Sequence, residues 1–179
     1  MLAANPKAIV ERKIVDNHWQ HLEDESLPAG QDVTVSLARW QAEQDQLKAH
    51  DAQVGIRLPN DVDVEEIYST ISSSPLIILE FPIIDTNKRG YHPDGKAYSQ
   101  ARTLRVRCGY EGEIRAIGQE VIGDVLNYME RCGINAFELR EGEDLGEALA
   151  RFTEFSQAYQ AAAAGPQAIY LRRRTRSAA

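Results

Sequence analysis

Three charged residues interrupt segments that otherwise read as apolar strands. Glu80 closes Leu76-Ile-Ile-Leu-Glu80, Arg115 lies inside Glu113-Ile-Arg-Ala-Ile117, and Glu138 lies inside Ala136-Phe-Glu-Leu139. A carboxylate withdrawn from water is costly unless paired, so Arg115 is expected to bridge Glu80 and Glu138 if the three strands are neighbours. Such a group reads in two ways. It is either an acid–base or ligand-orienting catalytic cluster with perturbed pKa values, or a structural ion pair. A second group follows in Asp94-Gly-Lys-Ala-Tyr-Ser-Gln-Ala-Arg102-Thr-Leu-Arg105. It reads as a turn feeding a helix. Unpaired backbone N–H groups near residues 97–100, with Asp94, Lys96, Tyr98, Ser99, Arg102 and Arg105 around them, are expected to bind a small anion or an acidic partner. Phosphate, sulfate, sulfite and carboxylates all qualify. The blander alternative is that Ser99 caps a turn and the arginines pair with nearby acids.

The elements that must position these residues form an alternating series. Strands are expected at Val33–Ser36, Val54–Leu58, Leu76–Phe81, Glu113–Ile117 and Ala136–Leu139. Between them, Val64, Ile67, Tyr68 and Ile71 recur at helical spacing. Helices are also expected over Leu37–His50, Tyr98–Cys108, Val121–Met129 and from Leu145 to Tyr159. About five βα units imply right-handed crossovers and a single α/β domain with a mainly parallel sheet, an open sheet being favoured and a partial βα barrel the alternative. The domain spans 33–160. Residues 1–32 read as an N-terminal extension with a possible β-hairpin turning at Asp16-Asn17, and 161–179 as a disordered Ala/Arg-rich tail. The connection 82–97 is long for a strand-to-helix loop, which usually takes about 2–6 residues. Trp19 and Trp40 are expected in the core.

Composition narrows the function classes. The chain has 179 residues and a net charge of −7, with 43% hydrophobic and 26% charged residues, ordinary for a globular domain. The tail holds Arg172, Arg173, Arg174 and Arg176 and no acid, so removing its four charges leaves −11 for residues 1–160. An acidic body argues against phosphate-backbone binding, leaving only a weak nucleic-acid contact through Arg172–Arg176. No apolar run reaches membrane-spanning length and no leader pattern is evident, so a cytoplasmic location is expected.

Several chemistries lack their signatures. Cys108 and Cys132 sit far apart without ligand-spaced histidines, so no metal site is expected. Both occupy an Arg-Cys-Gly context that reads as a helix end followed by its glycine C-cap, which makes the thiols structural. His92 stands alone in the long loop. Neither a Walker A loop, nor Gly-x-Gly-x-x-Gly, nor a Gly-x-Ser-x-Gly elbow is present, and no cofactor is evident.

Together these segments resemble a known family. Ser36-Leu-Ala-Arg-Trp40, Val54-Gly-Ile-Arg-Leu58, Glu80-Phe-Pro82, Asp94 through Arg105, Gly112-Glu-Ile-Arg-Ala-Ile-Gly118, Arg131-Cys-Gly133 and Ala136-Phe-Glu-Leu139 occur in the order found in bacterial domain-of-unknown-function family 934. The likeness covers roughly residues 13–160. It implies an accessory role in assimilatory sulfite reduction, with an oxidoreductase label and with sulfite reductase or its electron donor as partner. It assigns no catalytic residue. This chain departs from the family pattern through extra residues between Phe81-Pro82 and Asp94-Gly95, and through Lys96 where the family has arginine, which loses the bidentate fork. Two other functions fit the residues: a small α/β enzyme using acid–base carboxylates outside redox chemistry, and a structural interaction module without a ligand.

Overall fold

The computed structural model describes residues 6–86, 90–93, 95–153 and 161–163, the segments 83–86 and 90–93 as backbone alone. It opens with a hairpin of antiparallel strands, β1 (Lys7–Val10) and β2 (Lys13–Asp16). The turn is Glu11-Arg12, with φ of 47° and 61°. Two left-handed residues match the twist of a two-residue hairpin, although Asn-Gly is the usual choice. Here outside contacts hold them: the Glu11 N–H donates to the Asn135 carbonyl at 2.8 Å, and Arg12 forks onto Glu130 with two bonds of 2.7 Å. The expected turn at Asp16-Asn17 is therefore corrected. A hairpin exists, but it closes earlier and without the usual turn residues.

The alternating series follows. Strand β3 (Gln20–His21) lies parallel to β4 (Val33–Ser36). Helices α1 (Leu37–Ala42) and α2 (Gln44–Lys48) replace the single helix expected over 37–50, the break falling at Glu43 with φ −119°. Then come β5 (Val54–Leu58), α3 (Val64–Ile71) and β6 (Leu76–Glu80). The long connection contains two further strands, β7 (Ile83–Thr86) and β8 (Gly90–Pro93), paired antiparallel as a separate ribbon. Helix α4 (Lys96–Val106) leads to β9 (Glu113–Ile117). The next helix begins as a 3₁₀ turn at Gly123–Val125 and continues as α5 (Leu126–Arg131), before β10 (Ala136–Phe137) and α6 (Leu145–Arg151). Phe155 and Tyr159, expected on the last helix, lie outside the described residues, as do 164–179. Both Arg-Cys-Gly turns do end in left-handed glycines, Gly109 at φ 69° and Gly133 at φ 112°.

Eight strands make one sheet in the order β2-β1-β10-β9-β6-β5-β4-β3. From β3 to β10 every pairing is parallel, and each new strand adds on the same side of its predecessor. This is single winding, which puts all crossover helices on one face and curls the sheet. The architecture is thus the barrel alternative, a half barrel, and not the open sheet favoured from sequence. The sheet is also larger and more mixed than five parallel strands, because β1 pairs antiparallel with β10 and brings the N-terminal hairpin into it.

Register divides the strand residues cleanly. Ile9, Val33, Val35, Ile56, Leu58, Ile77, Leu79, Ile114, Ala116 and Phe137 share the convex face and pack under the helices with Leu37, Trp40, Leu104, Leu126, Met129 and Phe152. The concave face carries His21, Thr34, Ser36, Arg57, Glu80, Glu113, Arg115 and Glu138. Among them a small apolar cluster of Leu76, Ile78 and Ile117 is covered by Trp19. Among the described residues no helix is long and apolar enough to cross a membrane.

Candidate functional site

A strand's polar side chain is affordable on the concave face because other concave residues supply its partners across the curl. Arg115 of β9 is 2% exposed, and Glu138, just past β10, is 5% exposed. The Arg115 guanidinium donates to Glu138 Oε1 at 2.9 Å, to Glu113 Oε1 at 2.7 Å and to Asn17 Oδ1 at 2.9 Å. The second Glu138 oxygen meets His21 Nε2 at 3.2 Å, and His21 Nδ1 lies 2.7 Å from Thr34 Oγ1. Strands β3 and β10 are separated by four others in the sheet, so this contact closes the curl from side to side. Burial alone would push the Glu138 carboxyl up, but the hydrogen bond from His21 and the charges of His21 and Arg115 together hold it below the usual carboxylate range.

The expected triad of Glu80, Arg115 and Glu138 is therefore split. All three do share the concave face, yet Arg115 pairs with Glu113 and Glu138 and not with Glu80. Glu80 ends β6 opposite Ile117, two register positions nearer the C-terminal rim than Arg115. There it joins a different group. Glu80, Glu23, Ser36, Arg57, Gln41, Leu37, Ala38 and Pro59 enclose a cavity of about 330 Å³. Arg57, 4% exposed, donates through Nη2 to the Leu22 carbonyl at 2.8 Å and pairs through Nη1 with Glu23 at 2.8 Å, while its Nε is buried without an acceptor. The Glu80 carboxyl makes no hydrogen bond or ion pair among the described residues. Its carboxyl is half-buried, and desolvation raises its pKa against the weaker pull of Arg57. A carboxyl in that condition exchanges protons nearer neutrality than an ordinary glutamate, as an acid–base group must.

The second expected group is dispersed. Asp94 lies outside the described residues. Lys96, Ser99 and Arg102 are exposed on α4. The Tyr98 ring instead packs inward, edge-on to Phe81 and Tyr128 with centroids 5.0 and 5.1 Å apart, and burial pushes its hydroxyl pKa up to about 12. Arg105 turns away from the helix start. It donates to the carbonyls of Gly133 (2.8 Å), Tyr110 (2.6 Å) and Gly112 (2.8 Å) and to Asn135 Oδ1 (3.0 Å), tying α4 to the turns before β9 and β10. Its guanidinium is a structural clamp, so the joint anion grip of Arg102 and Arg105 is not formed. Cys108 and Cys132 are free, partly buried thiols whose pKa burial raises. Among the described residues no cluster of His, Cys, Asp or Glu is arranged to hold a metal.

Sequence reasoning missed Arg57, Glu23, Glu113 and His21. For Arg57 the signal was present: it interrupts the apolar strand Val54-Gly-Ile-Arg-Leu58 just as Glu80 and Arg115 interrupt theirs. His21 had no such signal, because its role depends on curling of the sheet.

Fold and rim define a singly wound βα half barrel with an acid-bearing cavity at the C-terminal ends of its parallel strands, where barrel proteins place their sites. Residues 55–170 match the family described as "Bacterial protein of unknown function (DUF934)", more than half of the chain, and the protein belongs to that family. No curated protein and no solved structure matches it.

Proposed function

We propose that this protein serves assimilatory sulfite reduction as an accessory factor with an acid–base site at the rim of its half barrel. The observation that carries the site is Glu80: a half-buried carboxyl with no hydrogen bond among the described residues, a raised pKa and an open cavity before it. A carboxyl whose pKa is raised towards neutrality beside an open cavity is suited to proton transfer, which a carboxylate locked in a structural ion pair is not. Arg57 beside it orients the ligand, and the buried Arg115–Glu138 pair keeps the strands in place behind them. The link to sulfite reduction comes from the family resemblance of the segments around Asp94–Arg105. Reduction of sulfite consumes protons together with electrons. In this reading the electron chemistry belongs to sulfite reductase or its donor, the proton chemistry to Glu80. The exposed side of α4, with Lys96, Ser99 and Arg102, faces that partner in the cytoplasm.

A deletion strain is the test. It should grow poorly on sulfate or sulfite and normally on cysteine, and a Glu80→Gln copy should fail to rescue it. Equal growth on all three sulfur sources removes the assignment to sulfite reduction. Full rescue by Glu80→Gln removes the rim site.

A further inference from the structure

The charge arrangement of the rim cavity limits what can occupy it. Three of its lining residues are ionisable: Glu23, Arg57 and Glu80. The first two neutralise each other at 2.8 Å. The other terminal nitrogen of Arg57 donates to the Leu22 carbonyl. Among the described residues, the carboxyl of this lining left without a hydrogen bond or ion pair is Glu80, which Arg57 reaches only through its field. Among the described lining residues two carboxyls stand against one cation that is already paired, so an oxyanion entering here meets a net negative wall. A ligand cation would instead supply the partner that Glu80 lacks among the described residues, and a charge-assisted hydrogen bond to a desolvated carboxylate is among the stronger polar contacts available.

A second polar atom on this wall is also unsatisfied. Arg57 Nε is a buried donor without an acceptor, in a residue 4% exposed that lines the same cavity. That nitrogen is shut off from solvent, so a ligand oxygen in the cavity reaches Arg57 through the terminal N–H groups that its bonds to Leu22 and Glu23 leave over. The rest of the lining, Leu37, Ala38 and Pro59, suits a short hydrocarbon stretch, and a volume of about 330 Å³ lies at the small end of ordinary ligand cavities.

Resting on the reading of this cavity as the working site, we infer that its ligand is a small primary amine in its ammonium form, with Glu80 as counter-ion, that also carries an oxygen acceptor for Arg57. The site would accordingly select against sulfur oxyanions, which belong to the partner and not to this chain.

The experiment follows the Glu80 side-chain carboxyl by carbon NMR in the intact protein while ethanolamine is added. Ethylene glycol, glycolate and sulfite serve as matched neutral and anionic controls. Ethanolamine is expected to move the Glu80 resonance and to lower its titration midpoint. Binding should fade as acid protonates the carboxyl, and Glu80→Gln should weaken it roughly tenfold or more. The three controls should leave the resonance in place. The inference is overturned if glycolate or sulfite moves Glu80, or if ethanolamine leaves it unmoved. Its failure is separable from that of the functional reading. Amine binding at Glu80 with full growth rescue by Glu80→Gln keeps the ligand and loses the function. Failed rescue without amine binding does the reverse.

Discussion

At the scale of single residues, the informative contrast is between two glutamates on one sheet face. Glu138 is almost fully buried and its pKa is lowered; Glu80 is half-buried and its pKa is raised. Burial acts upward on both, and the difference is the partners: His21 and Arg115 for one, no hydrogen-bond donor among the described residues for the other. The raised value has a consequence for stability. As pH climbs past the ordinary glutamate range, the unfolded chain ionises Glu80 first and is stabilised, while the folded protein still holds the proton. Stability associated with Glu80 is therefore complete in acid and declines as pH rises through its folded pKa. Glu80→Gln, which cannot ionise, should melt higher than the wild type at neutral pH and at the same temperature near pH 4. Thermal denaturation across that range checks this, and a lower neutral melting temperature for the variant would show Glu80 to be a stabilising residue and not a strained functional one.

At the scale of elements, α4 shows how position separates arginines that look equivalent in sequence. Arg102 and Arg105 are one turn apart, yet the first is exposed and the second threads four hydrogen bonds into neighbouring turns. Three of the acceptors are backbone carbonyls, and a lysine ammonium cannot reach all of them from one stem. Arg105→Lys should cost about 2–3 kcal/mol, whereas Arg102→Ala should stay within about 0.5 kcal/mol. Chemical denaturation of the two variants decides it; similar small losses would mean that the clamp is dispensable. The same helix indicates what was legible beforehand. Hydrophobic periodicity located the parallel strands β4, β5, β6, β9 and β10 and the helical segments between them, because burial on the convex face imposes it, but not the parallel pairing of β3 or the break at Glu43. The Arg-Cys-Gly turns were legible for the same local reason. The side on which each new strand would add was not, since the choice between single and double winding depends on crossover packing that no short segment encodes. Nor was the Glu11-Arg12 turn, whose left-handed backbone is held by Asn135 and Glu130 from the far end of the chain. The site was half legible: charged residues inside strands flagged Glu80, Arg115 and Glu138, but pairing depended on which end of the strand each occupied.

At the scale of the whole molecule, the sheet is held in its curl by a polar contact instead of a ladder. Strand β3 stands at one edge, and its His21 reaches Glu138 past the four strands β4, β5, β6 and β9. Asn17 and Trp19, on the segment leading into β3, cross the same hollow: one accepts from Arg115 and the other covers Leu76, Ile78 and Ile117. The half barrel is therefore closed by a short N-terminal stretch docked on a buried ionic centre. Glu138 is the joint, because it takes both His21 and Arg115. Its folded pKa is lowered, so its contribution is present above the ordinary glutamate value and is lost as pH falls through the folded one. The wild type should lose stability progressively below about pH 4.5, the unfolded-state value for glutamate. Glu138→Gln should be less stable at neutral pH and show a flatter acid limb. Arg115→Met, which strands Glu113 and Glu138 together, should cost about 3–5 kcal/mol, the penalty for breaking a buried pair from one side. Combining Arg115→Met with Glu138→Leu should cost less than the sum of the two, since each removes the charge the other leaves behind. Fluorescence of Trp19 offers a direct readout, because loss of closure uncovers its ring. An unchanged acid limb in Glu138→Gln, with Trp19 still shielded, would mean that the curl is set by the helices alone.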